Sequence, residues 1–221
     1  MATTVRVWDL PTRIFHWTLV LLVIAQVTTA SIGGNAMEWH FRSGYAIFTL
    51  LLFRILWGLF GGRWSRFASF VYAPASVRAY LRGHSPPEHR VGHNPLGAGS
   101  VFAMLLLLSA QVSTGLFSDD EIAASGPLTK FVSNDSVSNA TAWHAGWGKY
   151  LLIALIVLHI SAILYYRFRR QENLIGPMLS GDKSLAQPVA PSRDNAASRS
   201  AAAVLLALCA GLVAWVVSLG G

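Results

Sequence analysis

Residues 144–159, HAGWGKYLLIALIVLH, place a histidine at each end of a largely apolar segment. Fifteen residues at about 100° each leave a net rotation of about 60°, so on one α-helix His144 and His159 share a face, about 22 Å apart along the axis. Ionisable residues inside membrane helices are rare and are functional candidates. The segment therefore predicts a membrane helix that carries two functional histidines near its two ends.

The composition of the whole chain agrees with a membrane protein. Of its 221 residues 53% are hydrophobic and 12% are charged, about half the charge usual for a soluble domain. Five apolar runs approach or exceed the roughly 20 residues that cross a bilayer as a helix. They lie at 14–33, 41–61, 97–117, 144–166 and 201–219. The sequence therefore predicts an all-α, integral membrane protein.

The net charge is +7. The basic residues that cause it follow the pattern of a membrane topology, which argues against nucleic-acid binding. Most of the 17 Lys and Arg residues collect before the first run, between the second and third, and between the fourth and fifth. They are Arg6, Arg13, Arg63, Arg66, Arg78, Arg82, Arg90, Arg167, Arg169, Arg170, Lys183, Arg193 and Arg199. Short loops rich in Lys and Arg face the cytoplasm. The pattern predicts a cytoplasmic N-terminus, with the 118–143 loop and the C-terminus outside.

This topology pairs four histidines by depth. His16 lies near the cytoplasmic end of the first helix and His159 at the same end of the fourth, whereas His40 and His144 begin the second and fourth helices on the external side. Two histidines that face each other across a helix bundle can hold a haem iron from both sides. The sequence therefore predicts a four-helix bundle holding two haems, an inner one on His16 and His159 and an outer one on His40 and His144. Zinc is disfavoured because each depth offers no third ligand.

Glycines and arginines beside these histidines fit a macrocycle. Gly44 and Gly148 each follow a histidine by four residues, one helical turn on, where a missing side chain would let a porphyrin approach or two helices pack closely. Arg54 lies fourteen residues after His40, on nearly the same face at the inner depth. We expect it to pair with a propionate of the inner haem, with snorkelling to the surface as the alternative. Arg42 could bind a propionate of the outer haem.

Three segments are expected along the chain. Residues 1–179 form the di-haem four-helix transmembrane domain, 180–200 a polar and flexible cytoplasmic linker, and 201–221 an extra transmembrane helix. In that helix Ala207, Gly211 and Ala214 lie along one side. Small residues at this spacing are typical of close helix packing, which leaves open a homo-oligomer formed through the fifth helix.

Several motifs taken together resemble the bacterial di-haem cytochrome b-561 family, which includes the b-type subunit of nickel–iron hydrogenases. They are VWDLPTRIFHW at 7–17, the His40-x-x-x-Gly44-Tyr45 start of the second helix, GHNPLGA at 92–98, HISAI at 159–163 and ENLIGPMLSGDK at 172–183. The last motif resembles the hydrogenase-cytochrome-like branch. The resemblance covers roughly residues 5–183, and the fifth helix departs from the four-helix pattern.

The resemblance implies two b-type haems in the bacterial inner membrane and electron transfer between the quinone pool and a redox partner. That partner would be a dehydrogenase, a hydrogenase or a periplasmic cytochrome c. By position, His16, His40, His144 and His159 match the four axial ligands of the family. The alternatives are a stand-alone quinone-linked oxidoreductase acting on a small species such as superoxide and, from another class, a proton-coupled transporter or a membrane anchor without haem.

Overall fold

The computed structural model describes residues 3–120 and 124–220. Its α-helices are α1 (Leu10–Ile32), α2 (Met37–Phe60), α3 (Pro74–Leu81), α4 (Pro95–Leu116), α5 (Asn134–Trp143), α6 (Lys149–Arg169), α7 (Ile175–Ser180) and α8 (Ala196–Ser218). Two short strands, β1 (Thr3–Arg6) and β2 (Asp182–Leu185), pair antiparallel. Within the described residues, five helical stretches are long and apolar enough to cross a membrane: Leu10–Ile32, Gly34–Phe60, Pro95–Leu116, Asn134–Arg169 and Ala196–Ser218. The predicted all-α membrane protein is confirmed.

The fourth span begins earlier than the apolar pattern predicts. Helix α5 starts at Asn134, where the Ser133 hydroxyl accepts a hydrogen bond from the Ser136 backbone N–H. A π-helical segment, His144–Gly148, joins α5 to α6, and Gly146 inside it has non-helical backbone angles (φ −100°, ψ −113°). His144 therefore lies at a break inside a longer helix instead of at its start. Such π segments inside α-helices are frequent at functional sites.

The chain divides into two compact units, which we describe separately. Unit 1 comprises Met1–Phe15, Arg54–Ala103 and Val157–Ala203, and unit 2 comprises His16–Phe53, Met104–Ile156 and Val204–Gly221. The core of unit 2 is a cluster in which α1, α2, α4 and α6 all take part. Its members are Leu19, Leu22, Val23, Ile47, Leu51, Leu105, Leu108, Val112 and Leu152. The first four spans thus pack as a helix bundle in this unit.

The core of unit 1 forms around the start of the chain. Val7 and Trp8 are buried with Val91, and the side chains packed against them are Trp64, Met178, Leu185 and Val189. Strand β1 lies beside β2 with Thr3 opposite Leu185 and Arg6 opposite Asp182. The N-terminus is thereby fixed to the segment that follows α6 and α7.

Residues 180–200, predicted to be a flexible linker, make polar contacts with this core. The buried Ser192 hydroxyl donates to the Val7 carbonyl (2.7 Å), and the Ser192 N–H donates to the Arg6 carbonyl (2.8 Å). Asp194 pairs with Arg6 (2.9 Å) and Arg199 (2.8 Å). Burial alone would raise the pKa of the Asp194 carboxyl, but the hydrogen bond from Arg199 and the nearby positive charges hold it below its usual range. These polar residues therefore bind the N-terminal strand, a contact that composition does not show, and the flexibility of the segment stays a prediction.

Asp9 is a fully buried carboxylate that starts α1 and joins it to the segment after α2. One oxygen accepts hydrogen bonds from the Thr12 backbone N–H (2.8 Å) and the Trp57 indole N–H (3.2 Å). The other accepts from the Gly62 backbone N–H (3.1 Å) and the Ser65 hydroxyl (2.7 Å). The bond to Thr12 caps the helix, and the four bonds together satisfy a group that would be costly to bury alone.

Helix α8 packs through a face other than the one that the small residues suggested. Cys209 and Val213 are buried, whereas Ala207, Gly211 and Ala214 are exposed. A Cβ atom placed on Gly211 would meet nothing within 4 Å. The small-residue face therefore points away from the described chain, and a homo-oligomer contact through it stays a prediction.

Replacing Asp9 with alanine should destabilise the protein strongly, because each buried donor left without an acceptor costs about 1–3 kcal/mol. We expect the free energy of unfolding in detergent micelles to fall by about 3–5 kcal/mol when this charged acceptor is removed. Asp135→Asn, at an exposed acid in the first turn of α5, is the matched control and should change it by less than about 0.5 kcal/mol. Equal effects of the two substitutions would contradict the role given to Asp9.

Candidate functional site

His40 and His144, predicted to face each other, do so in unit 2. Their ring centroids are 6.0 Å apart and their planes are inclined at 87°. An imidazole nitrogen binds a first-row metal at about 2 Å and lies about 1.2 Å from its own ring centre, so two imidazoles on opposite sides of one metal ion would have centroids about 6.4 Å apart. The observed separation fits two axial ligands of a single iron.

The second ring nitrogen of each histidine is held by a backbone carbonyl. The Nδ1 atom of His40 is 3.3 Å from the Gln26 carbonyl oxygen, and that of His144 is 2.8 Å from the Gln111 carbonyl oxygen. Because a carbonyl only accepts, each Nδ1 carries the proton, which leaves Nε2 as the basic nitrogen. Metal-binding histidines use this arrangement, in which one nitrogen donates to a carbonyl and the other binds the metal.

The residues that hold the histidines were not among the predicted site residues. They are Gln26 and Thr29 on α1 and Gln111 and Thr114 on α4. The signal that identifies them is a repeated pentapeptide, AQVTT at 25–29 and AQVST at 110–114. The first copy lies on α1, the helix before the span that carries His40, and the second lies on α4, the helix before the span that carries His144. The two halves of this site therefore have the same construction.

Three glycines make room for these groups. A Cβ atom on Gly44 would lie 3.4 Å from the Gln26 side-chain nitrogen, and one on Gly148 would overlap the Gln111 side-chain oxygen. A Cβ atom on Gly115 would lie 2.9 Å from Cε1 of His144. The structure thus places Gly44 and Gly148 against glutamine amides, and their contact with a porphyrin stays a prediction.

The two predicted arginines differ in surroundings. Arg42 is exposed, forms an ion pair with Glu38 one turn earlier, and lies with its guanidinium carbon 5.2 Å from the Trp39 ring centroid. Arg54 is only 3% exposed, and its guanidinium carbon lies 4.9 Å from the Phe67 ring centroid. The Arg54 Nη1 atom is buried and has no hydrogen-bond partner among the described residues. Burial argues against snorkelling, and a buried guanidinium with an open donor fits a carboxylate ligand such as a haem propionate.

The inner histidines belong to different units. His16 lies in unit 2, half-buried, with its ring edge-on to Trp17 at a centroid distance of 5.0 Å. His159 lies half-buried on α6 in unit 1, the unit that also contains Arg54. Their pairing stays a prediction.

Comparison with known proteins identifies the family. A sequence model of the prokaryotic cytochrome b561 family matches residues 7–181, and the chain therefore belongs to this family. It is a membrane b-type cytochrome of electron transfer, so the haem-free transporter and anchor alternatives do not apply.

Curated relatives match along most of their length. The chain is 26% identical to the probable Ni/Fe-hydrogenase 1 B-type cytochrome subunit of Escherichia coli K12, over 80% of this chain and 90% of that protein. It is 25% identical to the probable Ni/Fe-hydrogenase B-type cytochrome subunit of Bradyrhizobium diazoefficiens, over 81% and 86% of the two chains. The relative of the same name from Rhodobacter capsulatus is 22% identical over 82% of each. No solved structure matches the chain.

Gly115→Ala should weaken haem binding, because the added methyl group overlaps the His144 ring and would displace it. We expect the haem content per chain, measured by absorbance of the purified protein, to fall by up to one haem. Gly99→Ala on the same helix is the matched control, since a Cβ atom there meets nothing within 4 Å. A Gly115→Ala protein with the full haem content of the Gly99→Ala protein would show that His144 does not need this space.

Proposed function

We propose that this member of the prokaryotic cytochrome b561 family holds two b-type haems and carries electrons between the quinone pool and a hydrogenase-type redox partner. The observation that carries the proposal is the His40–His144 pair, whose 6.0 Å centroid separation fits one iron between two imidazoles. Family membership gives the b-type cytochrome and its membrane setting. We add to this the number of haems, their ligands, the quinone and the partner.

Four histidines would hold the haem irons in this proposal. His40 and His144 would hold one haem, and each would present Nε2 because its Nδ1 atom is bound to a backbone carbonyl. His16 and His159 would hold the second. The fifteen-residue interval between His144 and His159 supports a second site at another depth, since α6 continues from Lys149 beyond His159.

The chain supplies binding, shielding and charge around these ligands. When bound, each haem supplies a one-electron Fe(III)/Fe(II) couple. The apolar cluster shared by α1, α2, α4 and α6 excludes water from the middle of the bundle in unit 2. The buried Arg54 guanidinium provides a positive charge and an open donor for a propionate of the haem on His16 and His159.

The distribution of charge supports an inner-membrane orientation with the N-terminus in the cytoplasm and the C-terminus in the periplasm. Of the 17 Lys and Arg residues, only Arg42, Lys130 and Lys149 belong to unit 2. Most of the others lie near the start of α1, between α2 and α4, and between the end of α6 and the start of α8, so these stretches are the cytoplasmic ones by the positive-inside rule. The His40–His144 haem would then lie towards the periplasm and Arg54 towards the cytoplasm.

The relatives favour a hydrogenase-type partner, since similarity extends over most of both chains. The test is to purify the tagged protein from native membranes under mild conditions and to assay quinol oxidation. Co-purification of a hydrogenase-like subunit together with quinone-linked electron transfer would support the proposal. A protein that exchanges electrons between quinone and superoxide without any bound partner would instead identify the stand-alone oxidoreductase.

Alanine substitutions at the four histidines should separate the two haems. His40→Ala and His144→Ala should each remove the same haem, and His16→Ala and His159→Ala should each remove the other, because each pair binds one iron. Reduced-minus-oxidised spectra combined with redox titration identify which haem remains. Loss of different haems within one pair would refute the pairing.

Arg54→Leu should lower the midpoint potential of the haem on His16 and His159, because a nearby positive charge favours the reduced iron. Arg54→Lys keeps the charge and is the matched control, with a smaller shift expected. Redox titration of both variants makes the comparison. An unchanged potential and unchanged occupancy in Arg54→Leu would show that the guanidinium does not contact this haem.

A further inference from the structure

We infer that Gln26 and Gln111 are positioning residues, each of which clamps a haem-binding histidine by two reciprocal hydrogen bonds, and that the two clamps are equivalent halves of one duplicated device. This inference rests on the proposed role of His40 and His144 as axial ligands. It assigns a function to two polar side chains that lie inside apolar helices, where an amide needs partners.

The first clamp joins α1 to α2. The Gln26 side-chain Nε2 donates to the His40 backbone carbonyl at 2.6 Å, and the His40 Nδ1 donates to the Gln26 backbone carbonyl at 3.3 Å. Gln26 also donates to the Ser43 hydroxyl at 2.8 Å. One residue on α1 therefore fixes both the backbone and the ring of the histidine.

The second clamp repeats this arrangement between α4 and the π-helical segment. The Gln111 side-chain Nε2 donates to the His144 backbone carbonyl at 2.7 Å, and the His144 Nδ1 donates to the Gln111 backbone carbonyl at 2.8 Å. The same atoms make the same two bonds in both halves. A packing coincidence would not reproduce donors, acceptors and sequence motif together.

A threonine three residues after each glutamine completes the device. The Thr29 hydroxyl donates to the Ala25 carbonyl at 2.7 Å and lies 3.4 Å from His40 Nδ1. The Thr114 hydroxyl donates to the Ala110 carbonyl at 2.8 Å and lies 3.4 Å from His144 Nδ1. Each hydroxyl thus lies beside the imidazole and restricts where its N–H can point.

The clamp also explains the glycine one turn after each histidine. In a helix the carbonyl of residue i is flanked by residue i+4, so the glutamine amide reaches the histidine carbonyl across position 44 or 148. A Cβ atom at Gly148 would overlap the Gln111 side-chain oxygen, and one at Gly44 would lie 3.4 Å from the Gln26 side-chain nitrogen. The space beside Gln111 is therefore tighter than the space beside Gln26.

The expected effect of the clamps is on the ligand strength of the histidines. An imidazole whose Nδ1–H is held on a carbonyl is a more basic ligand, and a more basic ligand stabilises ferric iron and lowers the midpoint potential. Without the side-chain bond the two helices can slide, and the Nδ1 bond lengthens. The potential of the haem on His40 and His144 should then rise.

The experiment uses Gln26→Met and Gln111→Met in the full chain, because methionine keeps the length of glutamine and removes its N–H donors. We expect both variants to keep the second haem unchanged, as an internal control. In each, the midpoint potential of the haem on His40 and His144 should shift upward with altered low-spin EPR g-values, or that haem alone should be lost. Redox titration followed by EPR reads out both quantities independently of turnover.

The glycine variants decide the outcome if the methionine variants do not fold. Gly148→Ala should shift the same potential upward, and Gly44→Ala should shift it less, in the order of the contact distances. Unchanged potentials in all folded variants would overturn the inference, and a shift at one half without the other would overturn the equivalence of the clamps. Failure of the proposed function would look different, since the wild-type protein would lack a haem that depends on His40 and His144.

Discussion

The hydrogen bond from each histidine Nδ1 to a backbone carbonyl on the neighbouring helix is the constraint on which the site depends. It fixes the tautomer, leaves Nε2 as the basic nitrogen, and ties α1 to α2 and α4 to the π segment. With each ring held in this way, the ring centroids of His40 and His144 lie 6.0 Å apart. The apolar cluster of unit 2 then holds the four helices together.

A second set of polar contacts anchors unit 1. Asp9 caps α1 and holds the segment after α2, while Arg6 and Asp194 connect strand β1 to the residues before α8. Membrane helices gain little from hydrophobic association with one another, because lipid is as apolar as their side chains. Hydrogen bonds and ion pairs of this kind therefore determine how the helix ends are joined within unit 1.

The parts of the structure that sequence could predict are those governed by local periodicity. The apolar runs predicted the five membrane spans. The positions of His40 and His144 along their helices, at a rise of about 1.5 Å per residue, predicted that they lie at the same depth. The start at Asn134 was not predicted because α5 is polar, and the pairing of β1 with β2 joins short strands about 180 residues apart with no periodic signal. Gln26 was not predicted because its role depends on a contact with His40, which lies on the next helix. The repeated AQV motif is the sequence signal that would have indicated it.

The electron paramagnetic resonance spectrum of the oxidised, purified protein tests the central claim most directly. Two imidazoles on one ferric iron with planes inclined at 87° should give a highly anisotropic low-spin signal, because near-perpendicular rings leave the two iron dπ orbitals almost degenerate. The account predicts this signal from one haem and its loss in His40→Ala. A spectrum in which that haem is high-spin, or shows only the rhombic low-spin signal of parallel rings, would contradict the account.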